Sequence, residues 1–100
     1  MNLTSIRIIT ADIKRLVHFF EKATGLAATW YTDDFAEIIT TTSTIAIGST
    51  NTLALFGKNI ASPASNRSII IEFKVDNVDE SYNTIKELTS DIVQTPTTMP

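Results

Sequence analysis

Cysteine is absent from this 100-residue chain, histidine occurs once, and proline and glycine contribute three residues each. Without cysteine there is no disulfide, no thiol nucleophile and no thiolate metal site, and one histidine rules out a multi-histidine centre. There is no basic run either: eight Lys and Arg stand against eleven Asp and Glu, for a net charge of −3. That balance argues against electrostatically driven binding of nucleic acid. No stretch approaches the roughly 18 apolar residues of a membrane span, and Met1-Asn2-Leu3-Thr4 lacks the basic flank and apolar run of a secretory leader. A soluble, cytoplasmic protein that engages neither nucleic acid nor membrane is the expectation. Gly57-Lys58 has no phosphate-binding loop around it, no Gly-x-Ser-x-Gly elbow occurs, and His18 sits among charged helix positions without an evident acidic partner. No catalytic residue is assigned.

What the chain does contain is a repeat. The strand-then-helix pattern of residues 5–26 recurs at 70–89, 65 positions later. In the first copy Ile6, Ile8 and Ile9 lead to Asp12, after which Ile13, Leu16, Val17, Phe20 and Ala23 form an apolar stripe at helical spacing. In the second, Ile69, Ile70, Ile71, Phe73 and Val75 lead to Asp76-Asn77, and Val78, Tyr82, Ile85 and Leu88 follow. Asp12 is suited to cap the first helix and Gly25 to end it, giving a helix over 12–24. Asn77 and Glu80 stand at capping-box spacing.

Between the two units the pattern is that of antiparallel strands: residues 28–31, then Asp33-Asp34, then 36–39, 44–47, a turn over 48–51, and 53–56. The threonine run 40–44 reads either as a turn or as continuous pairing. Residues 57–67, with Gly, Asn, Ser and Pro63, have no periodicity and form a connection. Ile92-Val93 reads as the start of another strand. The fold class is α+β, in one domain of 1–100: a first unit at 1–57, the connection at 58–67 and a second, partial unit at 68–100.

The run Asp12-Ile13-Lys14-Arg15-Leu16-Val17-His18-Phe19-Phe20, followed by Thr24-Gly25-Leu26, resembles the opening of the vicinal oxygen chelate superfamily. Glyoxalase I, bleomycin-resistance proteins and extradiol dioxygenases belong to it. The segment Ile70-Ile71-Glu72-Phe73-Lys74-Val75-Asp76-Asn77-Val78 looks like the start of that superfamily's second module. The resemblance implies a pair of βαβββ modules curled around a ligand cleft, often completed by dimerisation, with the second module truncated here. In the superfamily's metalloenzymes a His seven residues before the motif Asp falls on Ser5. A His or Glu of the first module's last strand falls near Ala54, and one at the start of the second module falls on Ile70. A hydroxyl, a methyl and a sec-butyl group do not replace imidazole or carboxylate as ligands for a divalent ion. The resemblance therefore implies no metal and no other cofactor held by this segment.

Four residues are candidates for ligand binding. Strand alternation puts Ser5, Arg7 and Ile9 on one face, which the resemblance assigns to the cleft. Arg7 there either offers a planar fork to an anion or pairs structurally with Glu72. Glu72, in the equivalent face of the second unit, is a candidate base or the partner of that arginine. Trp30 and Tyr31 point to opposite faces, one into the core and the other to a cleft or interface; Trp30 beside Asp33 and Asp34 would stack on a cationic aromatic compound. Phe56 is similar. The expected function is metal-independent binding of a small, partly aromatic compound between the modules, by a protein that dimerises with itself. Two alternatives stand beside it: a metal-dependent lyase or dioxygenase drawing ligands from outside this segment, and a non-enzymatic dimerisation module.

Overall fold

The Asp12 side chain opens the first helix by accepting a hydrogen bond from the Arg15 amide at 3.2 Å, and Gly25 closes it in the left-handed conformation at φ 73°. A computed structural model of the chain describes residues 1–55, 57, 60–65, 68–89 and 96. Strand β1 (Ser5–Thr10) leads into α1 (Ile13–Thr24), then β2 (Thr29–Thr32), β3 (Phe35–Ile39) and β4 (Thr44–Ser49). A 3₁₀ helix (Thr50–Leu55) follows, and α2 (Val78–Leu88) comes later. The four strands form one sheet in the order β1-β4-β3-β2, with β1 parallel to β4 and the other neighbours antiparallel. Residues 5–49 thus make a βαβββ unit in a mixed α+β fold. No helix among the described residues is long and apolar enough to cross a membrane.

The register decides what faces what. Ile6 and Ile8 pair with Ile45 and Ile47, which pair in turn with Ile38 and Ala36. Directly paired residues share a face, so these side chains form one sheet surface, and α1 lies on it through Ile13, Val17 and Phe20. Ile38, Ile47 and Val17 are the largest side chains fully removed from water. The other face carries the alternate positions: Arg7 and Ile9 of β1, Ala46 and Gly48 of β4, and Phe35 and Glu37 of β3.

Local side-chain bonds overrule simple alternation in two places. The threonine run is a tight turn, because the Thr40 hydroxyl donates to the Ser43 carbonyl at 2.7 Å and accepts from the Ser43 amide at 3.1 Å. Residues 53–55, expected as a strand, lie in the 3₁₀ helix instead, and β4 continues through Gly48-Ser49, which had been expected to turn. Thr52 Oγ1 donates to the Ser49 carbonyl at 2.7 Å and the Asn51 amide donates to Ser49 Oγ at 3.1 Å. Such short-range bonds draw the backbone out of a ladder and into a turn. Asp34 ties this corner down, accepting from Ser49 Oγ at 2.6 Å and Asn51 Nδ2 at 3.0 Å.

Among the described residues, the second unit repeats the helix but not the ladder. Asn77 Oδ1 accepts from the Glu80 amide at 3.1 Å, the same i to i+3 cap as Asp12 to Arg15 and 65 positions along. Tyr82, Ile85 and Leu88 are half-buried, and α2 packs beside α1. The preceding residues, 69–75, run without strand pairing, and Ile70 is 86% exposed. The strand expected at Ile92-Val93 lies outside the described residues.

Candidate functional site

Arg7 projects from the middle of β1 on the face that α1 does not cover, because its ladder partner Ala46 pairs onward with Glu37 on that side. Its guanidinium lies 4.7 Å from the centre of the Phe35 ring, within the range of cation–π attraction. The Phe35 ring meets Tyr31 at 5.8 Å. The Tyr31 hydroxyl donates to Glu37 Oε1 at 2.8 Å. A chain of contacts thus runs Arg7, Phe35, Tyr31, Glu37 across one sheet face. The hydrogen bond to Glu37, with lesser help from desolvation and from the carboxylate's charge, raises the Tyr31 phenol above its usual pKa. Asp34, at the sheet corner, moves the other way: bonds from Ser49 and then Asn51 hold its carboxyl below the usual value.

Beside β1 runs an open groove of about 680 Å³, bounded on its far side by described residues of the segments 60–65 and 68–71. Ile6, Ile8, Ile9, Ile60, Ile69 and Ile71 are half of the residues that line it. Arg7 enters it, together with the serines 62, 65 and 68. A predominantly apolar groove with a few convergent polar groups is the usual form of a small-molecule site, and this volume falls within the range of roughly 300–1,000 Å³ such sites occupy.

Of the four residues singled out from the sequence, the three that are described do not line one groove. Arg7 is in the groove. Glu72 is exposed, one residue past the groove wall at Ile71. Trp30 pairs with Ala36 and therefore faces the α1 side, where it borders a shallow depression of about 370 Å³ with Lys14, Thr32 and Asp33. Phe56 lies outside the described residues. Tyr31, not Trp30, shares the Arg7 face. Phe35 and Glu37 were missed; alternation puts both on one face of β3, but only the β1–β4–β3 register puts that face beside Arg7.

The metal positions that the resemblance implies are occupied by Ser5 at the start of β1, Ala54 in the 3₁₀ helix and the exposed Ile70. None carries a nitrogen or carboxylate donor, and among the described residues no three His, Cys, Asp or Glu side chains cluster closely enough to hold an ion. This donor set does not fit the superfamily's metal.

Comparison with known proteins resolves the lineage. The profile of the Glyoxalase/Bleomycin resistance protein/Dioxygenase superfamily matches residues 2–100. The chain belongs to this superfamily. Among solved structures, a glyoxalase/bleomycin resistance protein/dioxygenase from Nocardioides is 15% identical with a TM-score of 0.76, the match covering 100% of this chain and 70% of that one. A family enzyme from Burkholderia phytofirmans PsJN is 20% identical with a TM-score of 0.76, covering 88% of this chain and 73% of its own. Hypothetical protein SA1046 from S. aureus is 18% identical with a TM-score of 0.77, covering 99% and 77%. At such identities these structures establish the glyoxalase-like fold alone. No curated protein matches.

Proposed function

We propose that this glyoxalase-superfamily chain is a metal-independent binding protein, holding a small, partly aromatic compound in the groove between β1 and the segments 60–65 and 68–71. The observation that carries the reading is the groove itself: about 680 Å³, walled by isoleucines and entered by Arg7. Binding by burial of an apolar body needs no nucleophile and no Lewis acid; each buried methylene contributes about 0.8 kcal/mol.

Isotope-edited NMR of the whole chain, titrated with a panel of aryl and aryl-alkyl compounds, tests this. Saturable shifts should concentrate at Ile6, Arg7, Ile8, Ile9 and the segments 60–65 and 68–71. Trp30 is on the opposite sheet face, so its fluorescence should respond weakly. Shifts confined to the Trp30 depression, or stoichiometric divalent metal retained by the purified chain through dialysis against chelator, would refute the proposal.

A further inference from the structure

We infer that the depression at the β2 edge is a second site, separate from the groove, for a free aromatic α-amino acid: its ring stacks on Trp30 and its two charges meet Lys14 and Asp33. The depression, of about 370 Å³, is lined by Lys14 from the first turn of α1 and by residues 30–33 of β2 and the turn after it. Small-molecule sites occupy roughly 300–1,000 Å³, so this one suits a small ligand. β1 and β2 are opposite edges of the sheet, so an occupant here does not compete with one in the groove.

The neighbouring groups are already engaged. Tyr31 rests its ring near Phe35 and donates its hydroxyl to Glu37. Thr32 Oγ1 accepts from the Asp34 amide at 3.0 Å, and the Asp34 carboxylate accepts from Ser49 and Asn51. The turn is thereby held from both sides, and Asp33 is its carboxylate left for a ligand. Among the described residues the side chains of Lys14, Trp30 and Asp33 enter no hydrogen bond, ion pair or ring contact. Trp30, 43% exposed, offers a flat aromatic surface for offset stacking. Charge then selects the occupant. An aromatic anion gains Lys14 but meets Asp33, and an aromatic cation gains Asp33 but meets Lys14; a zwitterion gains both.

Trp30 is the one tryptophan of the chain, so its emission reports this site directly. Fluorescence titration of the full chain with L-phenylalanine, hydrocinnamate, phenethylamine and L-alanine tests the assignment, since the last three each lack one of ammonium, carboxylate or ring. Phenylalanine should give a saturable change, hydrocinnamate and phenethylamine should each bind at least about twofold more weakly, and alanine should leave the emission unchanged. Lys14→Gln should abolish the advantage over phenethylamine, and Asp33→Asn the advantage over hydrocinnamate. Both positions are exposed, and circular dichroism checks that the variants fold. Equal binding of the three aryl compounds, or an advantage that survives its variant, overturns the zwitterion assignment. No saturable response to phenylalanine, or NMR shifts with phenylalanine confined to Ile6, Ile8 and Ile9 of the groove, overturns the site itself.

Discussion

Gly48 lies in β4 opposite Phe35, where the 3₁₀ helix folds back over the strand. A Cβ placed on it would stand 2.8 Å from Thr52 Oγ1 and 3.5 Å from Ile9 Cδ1. The second is an ordinary contact; the first is not. Thr52 Oγ1 cannot retreat freely, because it is bonded to the Ser49 carbonyl at 2.7 Å. In Gly48→Ala the lost bond costs about 0.5–1.5 kcal/mol, and residual overpacking about 1–3 kcal/mol. Alanine's narrower unfolded ensemble returns about 0.4–1 kcal/mol. The expected net destabilisation is about 2 kcal/mol. Thr52→Ala alone should cost about 1 kcal/mol. Combining them removes the clash, so the double variant should cost about 1 kcal/mol rather than the additive value of about 3 kcal/mol. Urea unfolding followed by far-UV circular dichroism, at constant m, measures all three. Additivity within about 0.5 kcal/mol would show that the two side chains do not compete for the same space.

Asp34 gives a pH signature: its folded-state pKa is lowered by bonds from Ser49 and Asn51, so its stabilising contribution is present above the unfolded value near 3.8 and disappears as pH falls through the folded value. The wild-type advantage in urea midpoint over Asp34→Asn should therefore shrink on acidification below about pH 4, and an advantage that stays constant to pH 2.5 would contradict the assignment. Ile38→Ala, at a side chain fully excluded from water, should cost about 2–5 kcal/mol in the same assay, and a loss under about 1 kcal/mol would mean that this face of the sheet is not the core. Gly25→Ala places a side chain at φ 73° with nothing within 4 Å, so its cost is purely conformational, about 1 kcal/mol, and Gly25→Asn should recover part of it.

The helices were legible in the sequence because their signals are local. The Asp12 and Asn77 caps need only a side-chain oxygen three residues before a free amide, and the stripe Ile13, Val17, Phe20 needs only the helical period. The middle strands were legible in outline through β-branched alternation, but their ends were not. Whether β4 stops at Ile47 or runs on through Gly48-Ser49 depends on Asp34, 15 residues earlier in the chain than Ser49, accepting the serine hydroxyl. Of the four residues singled out from the sequence, only Arg7 is among the described residues that line the groove. Assembling Phe35, Tyr31 and Glu37 beside Arg7 requires the parallel β1–β4 register, a non-local pairing that no window of sequence displays. The choice between Trp30 and Tyr31 turned on the same information: opposite faces follow from alternation, but which face α1 covers follows from Ala36, whose partner across β2 is Trp30.

That register also accounts for the contrast between the two repeated units. β1 becomes a strand because β4 runs parallel beside it, and Ser5 pairs with Thr44, 39 positions further along. The helix of the second unit needs no such partner, since its hydrogen bonds close within four residues, and α2 accordingly forms with its own cap. A strand satisfies its backbone only through a neighbour, so residues 69–75 run without a ladder among the described residues and leave Ile69, Ile70 and Phe73 facing water. Among the described residues the repeat is therefore complete where bonding is local and open where bonding is distant.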